Sequence, residues 1–341
     1  MEGENRVKIV DAHCDVIWKL WSQPKLSFDG PSQASAVDDA VRLHASAPLL
    51  RHSGVFVQSF AVYIPPSVLP PQRFYAALQM IDLYRRHIIG DEREWIPFYT
   101  ADDLARAERS GRRVALLTLE GADAIHGDVT YLRTLYYLGV RIVGLTWNYR
   151  NEVADGIGEA HPGGLSDFGR RFVQEAAQLR LLLDVSHLSE PSFWDLMAIH
   201  PHPVIASHSN IYELRNHPRN LRKEQVEAIF ASGGCIGLTF VGDFVSEQPT
   251  ASLDDLLRHV ECCFEWGGVK QTGFGSDFDG ADRLLQDVQH AGHWHRVVEA
   301  LLKRYKEEEV RGLLGENWLR LFRRYFGHQG DDQRTNGQIV A

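Results

Sequence analysis

Residues 181–209 read LLLDVSHLSEPSFWDLMAIHPHPVIASHS, and the order of apolar and polar positions there sets the architecture. Leu181–Ser186 is a short apolar run bounded by polar residues, the mark of a strand buried on both faces. Pro191–Ile199 carries a helical pattern, and Pro203–Ser207 returns to a strand-like run. Strand, helix and strand in succession make one βαβ unit with parallel strands. Both strands also end on similar chemistry, Asp184-Val185-Ser186-His187 in the first and Ser207-His208-Ser209 in the second.

The same alternation extends in both directions. Further strands are predicted at Val7–Ala12, Val55–Ile64, Arg113–Leu119, Arg141–Thr146, Cys235–Phe240 and Thr272–Ser276. Helical patterns fall between them, at Gln72–His87, Leu165–Leu179, Arg222–Ala231 and Leu253–Trp266 among others. Eight such pairs predict an α/β fold of the (β/α)8 TIM-barrel type, since eight parallel strands close a ring. An open doubly wound sheet is the alternative, but no G-x-G-x-x-G turn follows Val7–Ala12. Residues 1–327 are expected to form one barrel domain with a long insertion at about 18–53, and the polar stretch 328–341 to be a flexible tail.

Composition narrows the partners. Apolar residues make up 44% and charged residues 24% of the 341, enough to bury a core. The formal charge of −9, from 45 acidic against 36 basic residues, argues against nucleic acid, whose phosphates need clustered Lys and Arg. Arg170–Arg171 and Arg323–Arg324 lie in helical patterns and are expected on solvated faces. Cys14, Cys235, Cys262 and Cys263 offer no C-x-x-C spacing, so a disulfide framework is not expected. Met1 to Lys8 lacks the apolar stretch of a signal peptide, and no apolar run approaches the about 18 residues of a membrane span. The expected location is cytoplasmic, with no membrane partner.

Barrel enzymes build their sites at the C-terminal ends of the strands. Here those ends carry His13 and Asp15, Glu120, His187, His208 and Asp277. His13 and Asp15 are two apart, so on a strand both face one side and Cys14 the other. An imidazole and a carboxylate held together suit a divalent metal such as zinc, although for this pair alone a buried structural couple has equal standing. Glu120 follows the apolar run Val114–Leu119, where a carboxylate needs a partner or a cation. If Glu120 bridges, one metal takes His13, Asp15 and Glu120, and the other takes Glu120, His187 and His208. Each then keeps an open position, as in hydrolytic rather than structural zinc sites. Asp277 is left over as a carboxylate suited to move a proton.

The ordered set D-x-H-x-D, L-E-G, D-V-S-H, S-H-S and G-S-D-F-D-G resembles the renal or membrane dipeptidase family, a branch of the amidohydrolase-like metal barrels. The resemblance runs from Asp11 to the stretch Gly315–Leu319. It implies a dipeptidase that uses two zinc ions, with His13, Asp15, Glu120, His187 and His208 as ligands and Asp277 as the proton-transferring group. It also implies that Arg219, in Arg219-Asn220-Leu221, binds the substrate carboxylate, for which a guanidinium fork is suited. Animal members place a substrate-contacting His where this chain has Trp147, so Trp147 and the adjacent Asn148 are expected at the substrate, with Tyr149 nearby. Animal members are also secreted and lipid-anchored, and this chain resembles the soluble bacterial branch.

The expected activity is therefore hydrolysis of dipeptides, L-D dipeptides included, with small dipeptides as partners and a homodimer compatible with the chain. The alternatives are another amide or ester hydrolase, lactonase- or phosphotriesterase-like, or an inactive metal-holding binding protein. The first alternative typically opens with H-x-H and uses a modified Lys; here the second residue is Asp15.

Overall fold

A computed structural model describes residues 7–30 and 42–327. The tail 328–341 and part of the insertion, 31–41, lie outside the described residues. The strands are β1 (Ile9–Asp11), β2 (Val55–Tyr63), β3 (Trp95–Pro97), β4 (Arg113–Glu120), β5 (Val140–Gly144), β6 (Leu182–Asp184), β7 (Val204–Ile205), β8 (Ile236–Leu238) and β9 (Thr272–Phe274). They pair in the order β7-β6-β5-β4-β2-β1-β9-β8, all parallel, and a bridge between Ala206 and Ile236 joins β7 to β8. The eight-stranded ring is thereby closed, and it is a (β/α)8 barrel.

All eight expected strands are present, most of them shorter. β6 and β7 stop early because their polar ends leave the ladder for side-chain bonds. Asp184 Oδ1 accepts from Ser186 N at 3.1 Å and from Ser207 N at 3.0 Å. β3 was not expected. It is three residues long, ends in Pro97 and pairs with the foot of β4 outside the ring, an edge position where proline is tolerated. The helical pattern Gln72–His87 appears as a helix over Arg73–Leu83 that loosens into a π-turn at Tyr84–Ile89.

Inward positions at the strands' starts are apolar. Val10, Val57, Val114, Leu116, Ile142, Leu182 and Ile205 pack with Trp318, Phe322 and Tyr325 of the helix Asn317–Phe326. That helix lies under the ring's N-terminal mouth. Tyr325 Oη donates to Leu181 O at 3.0 Å, and Asn317 Nδ2 donates to Thr272 O at 2.7 Å. Arg323 and Arg324 are exposed as expected, yet both are tethered. Arg323 pairs with Glu108 at 2.8 Å, and Arg324 donates to Gly233 O. With this end sealed, the opposite mouth is left for chemistry. The four cysteines are free, and among the described residues no helix is long and apolar enough to cross a membrane.

Candidate metal centre and active site

The site begins where β1 and β9 run out. Beyond Asp11 and Phe274 the two chains stay joined, by Asp277 N to His13 O at 3.2 Å and Asp15 N to Phe278 O at 2.9 Å. The buried Asp11 carboxylate accepts from Ser276 N at 2.8 Å and Ser276 Oγ at 2.7 Å, fixing the tops of both strands. Burial pushes its pKa up to about 6 against those bonds. Cys14 turns into the apolar layer, opposite its neighbours. Asp15 opens the helix Val16–Ser22 but makes no side-chain cap, which leaves its carboxylate for the site.

Asp277 and Asp279 both have left-handed backbones, at φ +63° and +69°. That region is uncommon outside glycine, although aspartate tolerates it better than most residues. A Cβ at Gly280 would collide with Asp15 Oδ2 and Asp277 Oδ1, so only glycine lets the chain turn this close to two carboxylates. The turn is held from outside by Asp279. Its oxygens accept from His44 N at 2.8 Å and Ala45 N at 3.0 Å, and its own N–H donates to His44 Nδ1 at 3.1 Å.

Six predicted residues converge. His13 Nε2 lies 3.2 Å from Asp15 Oδ2, 3.7 Å from Glu120 Oε2 and 3.8 Å from Asp277 Oδ1. Glu120 Oε1 is 2.9 Å from His187 Nε2 and 3.7 Å from His208 Nε2. Two triplets bring their ligand atoms within 4.8 Å, His13 with Glu120 and His208, and His13 with Asp15 and Asp277. Asp277 thus sits among the donors, and His187 flanks the triplets through Glu120 and His208.

Hydrogen bonds assign the imidazole tautomers. Ser207 Oγ donates to Asp184 Oδ2, so it accepts from His208 Nδ1 at 2.7 Å. Asn148 Oδ1 is an acceptor, so His187 Nδ1 donates to it at 2.8 Å. Both rings then turn unprotonated Nε2 atoms toward each other, 2.9 Å apart, with His187 Nε2 accepting from Arg219 Nη2 at 3.2 Å. Burial holds both imidazoles neutral, their pKa values well below 6.5, and the charges of Arg219 and His13 add to it. Facing lone pairs repel, and a cation near them removes the conflict. Among the described residues, Asp15 Oδ1 is also buried without a hydrogen-bond partner. An orphaned carboxylate oxygen, two unprotonated imidazole nitrogens and further carboxylates fit a divalent metal.

The electrostatics agree. Burial, with Asp15 and Asp277 adding, drives the Glu120 pKa well above the carboxylate range, and His13 opposes it. Burial raises Asp277 to about 7, with Asp15 adding and His13 and Arg219 opposing. At His13 burial favours the neutral form, but Glu120 and Asp15 overrule it and lift the pKa to about 10. The cluster demands positive charge.

Arg219 is 6% exposed, and among the described residues it pairs with no carboxylate. Its Nη2 donates to His208 O and toward His187 Nε2, both at 3.2 Å, and its guanidinium lies over the Phe244 ring at 5.4 Å. Burial lowers its pKa to about 10. A cavity of about 230 Å³ opens beside it, lined by Ile157, Leu188 and Tyr212 among others.

Trp147 is half-buried with its ring 6.1 Å from that of His187, and Tyr149 is exposed. Sequence reasoning missed Tyr63, which ends β2 directly beside Glu120. Burial and then the charges of Glu120 and Asp15 push its phenol pKa up, so its hydroxyl stays protonated. Its place at the end of a predicted strand was the available signal. Asp184 and Asp279 lie within the motifs, but Asp184 also bonds Ser207, and Asp279 bonds His44, 235 residues away.

Comparison with known proteins identifies the family. Residues 4–330 match the profile described as Membrane dipeptidase (Peptidase family M19). A dipeptidase of Schizosaccharomyces pombe (strain 972), itself uncharacterized, is 28% identical over 337 residues, 93% of this chain and 80% of the relative. Among solved structures, dipeptidase AC, a metallopeptidase of family M19, shares 27% identity with a TM-score of 0.86, covering 94% of this chain and 99% of its own. A Rhodobacter sphaeroides metallopeptidase bound to a phosphinate mimic of the dipeptide L-Ala-D-Ala shares 25% identity with a TM-score of 0.86, covering 94% of this chain and all of its own. With the profile spanning nearly its whole length, the chain belongs to the membrane dipeptidase family, peptidase family M19.

Proposed function

We propose that this protein is a zinc-dependent dipeptidase that hydrolyses the single amide bond of L-L and L-D dipeptides at a two-metal centre. The observation that carries the reading is the convergence of His13, Asp15, Glu120 and His208 on one buried spot, with His187 against Glu120 and His208 and an Asp15 oxygen buried without a hydrogen-bond partner among the described residues. Those five residues would hold the metals. When bound, zinc there would supply an activated water and polarise the scissile carbonyl. The inclusion of L-D dipeptides rests on the mimic bound to the Rhodobacter sphaeroides relative.

The chain's own residues do the rest. Asp277 accepts the proton released as the water oxygen bonds to the carbonyl carbon. It delivers that proton to the departing amine nitrogen as the C–N bond breaks. A carboxyl lifted to about 7 by burial suits both directions of transfer near neutrality. Arg219, a buried cation without a carboxylate of its own, takes the substrate's C-terminal carboxylate. An acidic group of the cluster receives the free ammonium.

The test is zinc content measured together with turnover of an L-L and L-D dipeptide panel. The expected result is about two zinc ions per chain and hydrolysis. Asp277→Asn should keep its zinc and lose about 10²–10⁴-fold in kcat. Near-native turnover by that variant defeats the role of Asp277. Bound metal without hydrolysis of any dipeptide defeats the dipeptidase reading in favour of a metal-holding binding protein.

A further inference from the structure

Four aromatic rings form a continuous row along one side of the site. Trp18 meets Tyr63 at 5.9 Å between ring centroids, Tyr63 meets Trp147 at 5.1 Å, and Trp147 meets Tyr149 at 5.5 Å. The planes are inclined by 76°, 50° and 66°, so neighbouring rings meet edge to face or tilted rather than stacked. Trp18, Tyr63 and Trp147 are half-buried, and Tyr149 is exposed. The row ends in solvent at Tyr149, and its Trp147 ring lies 6.1 Å from the His187 ring.

Its position in the barrel is defined. Tyr63 ends β2 beside Glu120 of β4, and Trp147 follows β5, so the row arches over the top of β4. A Cβ at Gly121, the residue after Glu120, would lie 2.8 Å from Trp147 N, which explains why the chain can fold that tightly under the row. In the ring order, β8 stands diametrically opposite β4. Phe244, under the Arg219 guanidinium, lies just beyond β8. The aromatic row and Arg219 thus face each other, with Glu120, His187 and His208 between them.

Resting on the dipeptidase reading above, we propose that this row is the subsite for the side chain of the substrate's N-terminal residue and that it selects aromatic and large apolar side chains. A dipeptide whose C-terminal carboxylate is held by Arg219 extends its N-terminal residue toward the opposite wall. That wall offers ring edges and faces and a phenol, with Lys19 Nζ 4.8 Å from the Trp18 ring centroid as the one cation at its far end among the described residues. The gain comes from apolar area leaving water and from ring–ring contact, and it corresponds to a preference of at least about 10-fold.

The experiment compares kcat/KM for Phe-Ala, Gly-Ala, Ala-Phe and Ala-Gly with the zinc-loaded full chain, its Trp147→Ala variant and its Tyr149→Ala variant. The expected result is a Phe-Ala to Gly-Ala ratio of about 10 or more, larger than the Ala-Phe to Ala-Gly ratio. Trp147→Ala should reduce the first ratio at least about 5-fold and leave the second ratio where it was. Tyr149→Ala, at an exposed position that folding tolerates, should reduce the first ratio to a lesser degree. A first ratio near one, or one that survives both variants, overturns the subsite while the dipeptidase reading stands. Selectivity keyed to the C-terminal residue overturns it too, and no cleavage of any dipeptide defeats both.

Discussion

The two mouths of this barrel are made from the same strands and behave as opposites. Along β4 the inward positions run Val114, Leu116, Thr118, Glu120, from apolar to ionisable within one strand. Along β6 the change takes one step, from Leu182 to Asp184. At the N-terminal mouth these side chains meet the apolar face of a helix, and each contributes its own buried area. At the C-terminal mouth they meet one another, and each group's state depends on its neighbours: Glu120 and Asp15 raise the pKa of His13 against its burial, and His208 is oriented because Ser207 is already donating to Asp184. Substitutions at the first mouth should therefore lower stability and spare the chemistry. Those at the second should act through protons and metal.

The largest effect that separates the two mouths is expected at Trp318, which is fully buried in the helix that seals the N-terminal mouth. Trp318→Ala removes a large ring from a packed core and should cost about 3–5 kcal/mol of unfolding free energy, read from the urea midpoint. Zinc stoichiometry and kcat, measured well below the unfolding transition, should match the parent. A variant that keeps its midpoint but loses zinc would show the two mouths to be coupled.

A second effect, of roughly 3 kcal/mol, appears only on acidification. His259 is buried between the loop leading to Arg219 and the chain after β8, accepting from Ile211 N and donating to Val245 O, both at 3.0 Å. Burial depresses its pKa from 6.5 to about 4. The folded value lies below the unfolded one, so the neutral ring's stabilisation is present above pH 6.5 and is lost as the pH falls toward 4. The loss approaches about 1.4 kcal/mol per pH unit across that window. The stability difference between the parent and His259→Gln should therefore be greatest at pH 7 and shrink by pH 4.5. Parallel stability profiles would exclude this assignment.

Most of the architecture was legible because a parallel strand buried on both faces must be a short apolar run, and Leu181–Ser186 or Val114–Leu119 can hardly be read otherwise. The six converging residues were legible because charge at the end of such a run has to be used. What escaped has equally physical reasons. Trp95–Pro97 is too short for periodicity and ends in a residue that argues against a strand. Tyr63 counts as an ordinary strand former, so only its place near the end of the expected strand Val55–Ile64 could have pointed to the site. Asp279 is two residues from Asp277, but its partner His44 is 235 residues away, and nothing local announces that pairing.

Asn148 is where the smallest effect and the sharpest distinction meet. Its expected place was at the substrate, and its Oδ1 accepts from His187 Nδ1 at 2.8 Å. A partner on the far nitrogen fixes both the ring's orientation and which nitrogen stays bare, and removing such partners typically weakens metal binding about 10–100-fold. Asn148→Ala should therefore lower zinc affinity by about that factor in a chelator competition, with activity recovered at saturating zinc. Asn148→Asp keeps an acceptor toward His187 and should retain most of the affinity. If Asn148→Ala instead binds zinc like the parent and raises KM across all dipeptides, the side chain works on the substrate and not through His187. Both outcomes stay within the second mouth, because nothing in the apolar helix beneath the barrel senses which nitrogen of His187 carries the proton.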